Sequence, residues 1–140
     1  MDEAVLKYYR KLLKSGFEQA GSIENPTIFL ETHGTGGVCG HAADYMHIFI
    51  NVSNGRIDTM KYLCACDPPA NVAVEILCTL AKGRRLDEVQ AITEDTLLQA
   101  VGSEGEDMRK RARSLLELLN KGLTEYEVKM SQNGLHSTQI

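Results

Sequence analysis

The stretch DYMHIFINVSNGRIDTMKYLCACD, residues 44–67, alternates apolar and polar side chains on both sides of Asn54-Gly55. Both residues of this pair tolerate a positive φ, and Asn-Gly between two alternating runs is a strong signal for a two-residue β-hairpin loop. Strands are therefore predicted over residues 44–52 and 57–64. A two-residue loop without irregularity places Val52 opposite Ile57 and Tyr45 opposite Cys64.

The segments around the hairpin predict one more strand and several helices. Alternation over residues 27–33 indicates a strand, and apolar residues at helical spacing indicate a helix over residues 3–14. After the hairpin, Asp67 suits a helix N-cap, Pro68 suits the first helical position and Gly83 suits the stop. Further helices are predicted over 86–92, 94–100 and 106–120, the last ended by Gly122. This order predicts an α+β fold, a three-stranded antiparallel sheet with helices packed on one face.

Length and composition indicate one domain of a soluble globular class. The chain has 140 residues, 24% of them charged, and a formal net charge of -4, which argues against nucleic acid and anionic membrane surfaces as partners. We expect a domain over residues 1–130 and a polar, disordered tail over 131–140. The charged, amphipathic N-terminus leads us to expect a cytoplasmic protein, in which the four cysteines are reduced thiols.

The predicted hairpin gathers metal-ligating side chains at one end of the sheet. The strand that ends at Cys64 lies beside the segment that leads into the other strand, and cross-strand neighbours are about 5 Å apart at Cβ. The residues brought together in this way are Cys39, His41, Asp44, Cys64, Cys66 and Asp67. Thiolate and imidazole are the ligands that zinc and iron–sulfur clusters prefer, so the cluster is a candidate metal or sulfur site.

Structural roles compete with each of these assignments. Cys64 and Cys66 also suit small apolar positions at a strand end, and Asp67 also suits an N-cap. Outside the candidate site, Cys78 is predicted to lie in the core and His47 to be a hydrogen-bonded residue of the sheet. Residues expected on a solvated helix face are Arg109, Lys110, Arg111 and Arg113.

Five stretches resemble the NifU/IscU-type iron–sulfur cluster scaffold domain, in the family's order and spacing. They are AGSIENP (20–26), THGTGGVCG (32–40), DYMHIFINVSNGRI (44–57), AKGRRLDEVQAIT (81–93) and SEGEDMRKRA (103–112). The resemblance runs from about Tyr8 to about Leu119 and implies the family's α+β fold. It also implies assembly of a cluster on three cysteines and an aspartate, with sulfur from a cysteine desulfurase and delivery to cluster-receiving proteins.

The ligands depart from the family pattern. Counted without gaps, the family's second cysteine falls on Asp67 and its His-Cys pair falls on Lys110-Arg111. The first cysteine is Cys39 only if residues 41–43 are an insertion before Asp44, which aligns with the family's aspartate; otherwise that position is Ala42. The resemblance therefore implies a rebuilt site. Its ligands would be Cys39, Cys64 and Cys66, with Asp44, Asp67 or His41 as the fourth.

Three functions are consistent with this pattern, none of them a turnover enzyme. The first is a diverged scaffold that binds iron, a cluster or, alternatively, zinc. The second is a sulfur acceptor that takes persulfide from a cysteine desulfurase onto an exposed Cys39. The third is a non-catalytic adaptor that has lost the cluster site, as Arg111 at the third cysteine position would allow. Whether the chain forms a homodimer stays open. The GTGG run (34–37) lacks the Gly-Lys-Ser/Thr of a P-loop.

Overall fold

The computed structural model describes residues 2–138, and their side chains as far as residue 132. Its three strands form one antiparallel sheet in the order β1-β2-β3, and the helices cover one face of it. The predicted α+β class and sheet are confirmed, and most of the predicted ends lie within two residues of those found. The elements are α1 (Glu3–Ser15), β1 (Ile28–His33), β2 (Tyr45–Ser53), β3 (Arg56–Ala65), α2 (Pro68–Ala81), α3 (Leu86–Gln90), α4 (Glu94–Val101) and α5 (Glu106–Thr138).

The β2–β3 hairpin turns at the predicted pair but contains a bulge. Asn54 and Gly55 have φ angles of 55° and 71°, as a two-residue turn of this kind requires. The predicted pairing holds at Val52 and Ile57, whereas farther from the turn Asn51 pairs with Thr59, which leaves one extra residue on β3. A regular ladder would turn two of the apolar residues of β3 away from the core. The bulge keeps three of them buried on the core face, Ile57, Met60 and Tyr62, and leaves Leu63 exposed on the other face.

The bulge corrects the predicted register at the far end of the hairpin. Tyr45 lies opposite Ala65 rather than Cys64, and Cys64 lies opposite Met46, a fully buried residue. Because residues directly opposite each other share a face of the sheet, the shift places Cys64 on the side covered by the helices. The segment 16–21 closes this side by pairing Ala20 with Tyr62.

Helix α5 is longer than predicted. Gly122 was predicted to end it, but the helix continues through Gly122 to Thr138. Gly122 is buried against Leu30 of β1, and a Cβ atom at this position would collide with the leucine side chain. The glycine therefore allows close helix–strand packing rather than a helix stop. Of the predicted tail, residues 131–138 belong to α5, and residues 139 and 140 lie outside the described residues.

The described part of the chain contains no helix both long enough and apolar enough to span a membrane.

Candidate functional site

Three thiols from two segments of the chain lie at one end of the sheet. Cys39 lies in the glycine-rich loop between β1 and β2, Cys64 lies near the end of β3, and Cys66 follows β3 directly. The Cys39 and Cys66 sulfurs are 3.2 Å apart, and Cys64 precedes Cys66 by two residues. The Cys66 thiol lies 3.1 Å from the Tyr45 carbonyl oxygen, to which it donates. We call Cys39, Cys64 and Cys66 the thiol trio.

Backbone geometry explains why the trio forms. Side chains two residues apart on an extended strand point to the same side, which aligns Cys64 with Cys66. The loop that carries Cys39 approaches the start of α2 through Gly40. A Cβ atom at Gly40 would overlap the Asp67 carboxylate, so a larger residue would push the loop away. The short Cys39–Cys66 distance therefore depends on a glycine at position 40.

The three thiols differ in acidity. Burial raises the pKa of Cys39, which is only 7% exposed. The neighbouring Cys66 thiol lowers the pKa of Cys64, whereas the neighbouring Cys64 thiol and burial raise the pKa of Cys66. The expectation of an exposed Cys39, which the sulfur-acceptor hypothesis required, was wrong.

Asp67 precedes α2 but does not cap it with its side chain. Its backbone is extended, as at an N-cap, yet its carboxylate makes no cap hydrogen bond. Pro68 and Pro69 occupy the first helical positions and have no N–H groups, so few donors are within the carboxylate's reach. The carboxylate instead binds Arg111 of α5 in a bidentate ion pair, with N–O distances of 2.6 and 2.8 Å. The N-cap role predicted for the Asp67 side chain was therefore wrong.

Arg111 is part of the site, and its predicted place on a solvated face was wrong. Its side chain is 12% exposed and also donates to the Val38 carbonyl oxygen at 3.1 Å and to Asp107 at 3.0 Å. The sequence contains a signal for this position. Arg111 follows Met108 by three residues and precedes Leu115 by four, so it flanks the buried stripe of α5. Lys110 is exposed, as predicted.

The other predicted oxygen and nitrogen ligands lie in the loop before β2. The His41 backbone N–H donates to the Asp44 carboxylate at 3.0 Å, and the Asp44 N–H donates to the His41 carbonyl oxygen at 3.0 Å. These two bonds close a turn that occupies the Asp44 side chain, whereas the His41 side chain is exposed. Among the side chains that the structure describes, residues 2–132, no group of three or more His, Cys, Asp or Glu is positioned to hold a metal ion.

The Cys39 and Cys66 sulfurs are not spaced as two ligands of one zinc ion would be. Two thiolates on a tetrahedral zinc ion, each at about 2.3 Å from the metal, lie about 3.8 Å from each other. Cys39 and Cys66, at 3.2 Å, are closer than this and form a hydrogen-bonded pair. The donor types of the trio suit a soft metal, but the sulfurs would have to move apart to ligate one.

Residues predicted to lie outside the site do so. Cys78 is fully buried in α2, and burial raises its pKa. His47 lies on the outer face of the sheet, with its ring against Phe29 and Tyr45 and its Nε2 atom 3.6 Å from the Glu31 carboxylate. The side chain of His136 lies outside the described residues.

Comparison with solved structures identifies the fold. A NifU-like protein (N-terminal) from Brucella abortus matches with a TM-score of 0.61 and 14% identity, over 91% of this chain and 94% of that one. A candidate iron–sulfur cluster assembly scaffold for the SUF system from thermophilic Fervidobacterium islandicum matches with a TM-score of 0.55 and 14% identity, over 88% and 96%. The fold is of the NifU/IscU type. No protein-family model and no curated protein matches the sequence.

In this NifU/IscU-type fold, the two positions at which the resemblance replaces cysteines are in contact. Asp67 stands where the family's second cysteine falls and Arg111 where its third falls, and the two form the bidentate ion pair. The ion pair links the start of α2 to α5.

Proposed function

We propose that this chain is a scaffold-like protein of iron–sulfur cluster assembly that carries its cargo, iron or a cluster, on the thiol trio. The observation that carries the proposal is the convergence of Cys39, Cys64 and Cys66 at one end of a NifU/IscU-type sheet. Thiolates are the ligands of iron–sulfur clusters. The partners would be a cysteine desulfurase, which supplies sulfur, and proteins that receive the cluster.

We rank the three candidates for a fourth ligand by the bonds that each would have to break. His41 offers an exposed imidazole two residues after Cys39. Asp44 would first have to release the backbone N–H of His41, and Asp67 would have to leave Arg111. Because breaking a partly buried ion pair costs more than opening an exposed turn, we place His41 first and Asp67 last.

The test is anaerobic reconstitution with ferrous iron and sulfide. Iron and acid-labile sulfide per chain are measured after desalting, together with the visible absorption spectrum. We expect cargo on the wild-type protein, and its loss from Cys39→Ala and Cys66→Ala. The matched control is Cys78→Ala, which removes a buried thiol of the core at a cost of about 1 kcal/mol of stability.

Either of two results would contradict the scaffold proposal. One is full loading of the Cys66→Ala variant, since Cys66 lies 3.2 Å from Cys39 and two residues after Cys64. The other is loss of cargo from Cys78→Ala while Cys66→Ala keeps it. Zinc without sulfide in the purified protein would indicate a resting metal site. A purified protein that contains neither metal nor sulfide would favour the adaptor function.

A second candidate function is sulfur acceptance from a cysteine desulfurase. Two observations favour it: the described residues hold no preformed metal-binding group, and the pair Cys39–Cys66 is at hydrogen-bond distance. The accepting thiol would be Cys64 or Cys66, which are half-buried, rather than the buried Cys39. Incubation with a desulfurase and sulfur-labelled cysteine tests it, with label expected on the peptide that contains Cys64 and Cys66.

A further inference from the structure

Cys66 is the central thiol of the trio, and its neighbour Cys39 is placed for bond formation. A disulfide bond is about 2.05 Å long, so the two sulfurs would have to approach by about 1.2 Å. Cys39 lies in a loop with Gly36, Gly37 and Gly40, where the backbone can make such a shift. The Cys66 thiol also donates to the Tyr45 carbonyl oxygen at 3.1 Å, which fixes its position at the end of the sheet.

Cys64 is a poorer bonding partner for Cys66 than Cys39 is. The two cysteines are separated by one residue at the end of β3, where residues two apart on an extended strand lie roughly 6.6 Å from each other and point in parallel. A disulfide needs Cβ atoms at about 3.5–4.5 Å, so a Cys64–Cys66 bond would break up the end of the strand. Cys39 comes from a different segment and meets Cys66 side to side.

The sulfurs of Cys66 and Cys39 differ in their exposure to solvent. Cys66 is half-buried and can be reached by a sulfur donor, whereas Cys39 is only 7% exposed. A persulfide on Cys66 would keep its inner sulfur next to the Cys39 sulfur, which lies 3.2 Å from Cys66 Sγ. Attack by a neighbouring thiol on the inner sulfur displaces the outer sulfur.

We propose that Cys39 and Cys66 form a resolving pair that cleaves a persulfide on Cys66 and releases hydrosulfide. The Cys39 sulfur attacks the Cys66 Sγ atom, and the bond from Cys66 Sγ to the outer sulfur breaks. The outer sulfur leaves as hydrosulfide, and the proton of Cys39 is released to solution. The outer sulfur is reduced, and the two cysteines are oxidised to a Cys39–Cys66 disulfide. A dithiol reductant resets the pair. This activity rests on the sulfur-accepting function proposed above.

The experiment uses the full chain, reduced, desalted and kept without oxygen, with inorganic polysulfide as the sulfur donor. Released hydrosulfide and protein-bound persulfide are followed in time, and disulfides are mapped on peptides after alkylation. For the wild type we expect hydrosulfide release and a Cys39–Cys66 cross-link. For Cys39→Ser we expect a persulfide that stays on Cys66, with hydrosulfide release slower by about tenfold or more. Cys78→Ala is the control and should behave as the wild type.

The outcomes separate this activity from the function on which it rests. A persulfide that persists on the wild-type protein would overturn the resolving pair and leave sulfur acceptance in place. A cross-link between Cys64 and Cys66, or undiminished release from Cys39→Ser, would also overturn the pair. Wild-type protein that takes up no sulfur would overturn both. The cross-link map of the wild type decides the question even if the Cys39→Ser variant fails to fold.

Discussion

Asp67 and Arg111 form an ion pair between the start of α2 and the first turns of α5, and Arg111 also pairs with Asp107 at 3.0 Å. The two side chains are 17% and 12% exposed, so each charge depends on the other more than a surface charge would. Arg111 also donates to the Val38 carbonyl oxygen, next to Cys39. Loss of the guanidinium would leave one carboxylate and one carbonyl oxygen short of a donor beside the thiol trio.

We predict that Arg111→Ala lowers the free energy of unfolding by about 2 kcal/mol, because it leaves the partly buried Asp67 carboxylate without its partner. Asp67→Ala should cost less, because Arg111 keeps its ion pair with Asp107. The double variant should lose less than the sum of the two, with a coupling energy of about 1–3 kcal/mol. Urea unfolding of the four proteins measures the cycle. The control is Arg113→Ala, whose exposed pair with Glu94 should matter less. Additive losses would refute the coupling.

At this scale the sequence predicted the thiols better than the charges. Cys39, Cys64 and Cys66 could be placed together because the Asn54-Gly55 turn fixes which chain segments run side by side. The Asp67–Arg111 pair joins residues 44 positions apart through the packing of α5, which no local pattern determines. The family alignment put cysteine positions on both residues, and this was the one signal that could have indicated their contact.

Among the elements, β3 shows how a local irregularity changes a site. The predicted regular hairpin would have placed Cys64 opposite Tyr45, whose side chain is exposed. The bulge near Asn51 moves Cys64 opposite Met46 instead. The spacing of Ile57 and Met60, an odd number of residues apart and both fully buried, required this shift. The sequence contained that information, but strand prediction by alternation alone overlooks a change of phase.

Helix α2 contains a buried carboxylate that makes the stability depend on pH. Glu75 is 5% exposed and accepts hydrogen bonds from the Tyr62 hydroxyl at 3.0 Å and from the Gln19 backbone N–H at 3.2 Å. Burial raises the pKa of Glu75 despite these bonds. A carboxyl group whose folded pKa exceeds its unfolded value binds its proton more tightly in the folded state.

The fold should therefore be destabilised by ionisation of Glu75. The contribution of Glu75 to stability is most favourable below its unfolded pKa of about 4.3, and it is lost as the pH rises through the raised folded pKa. The total loss is about 1.4 kcal/mol for each pKa unit by which the folded pKa exceeds the unfolded one. We predict that Glu75→Gln flattens this fall in the free energy of unfolding between acidic and neutral pH. Urea unfolding across a pH series tests it, with exposed Glu125→Gln of α5 as control. Parallel curves for wild type and Glu75→Gln would contradict the prediction.

For the whole molecule, the fold class could be predicted from the order of the elements, whereas the end of α5 depends on tertiary packing. One hairpin, one further strand and apolar helical stripes were sufficient to predict the α+β arrangement. The end of α5 was not predictable from Gly122, because a glycine that stops a helix and one that allows a close approach look alike in sequence. Leu30, which fills the space next to Gly122, lies on β1, far from Gly122 in the sequence.

The limits of the domain lead to a prediction about truncation. Leu123 is fully buried, Tyr126 packs against the core, and Glu127 accepts a hydrogen bond from Gln90 at 2.7 Å, whereas Met130 is 49% exposed. We predict that a chain ending at residue 130 unfolds in urea with the same free energy as the full chain, within about 0.5 kcal/mol. A chain ending at residue 121 should lose at least about 2–3 kcal/mol, the value of burying Leu123 alone. If the chain ending at residue 130 loses as much as the shorter one, the last turns of α5 are part of the domain, and the boundary lies beyond residue 130. If neither truncation matters, Leu123 does not contribute to the core in solution.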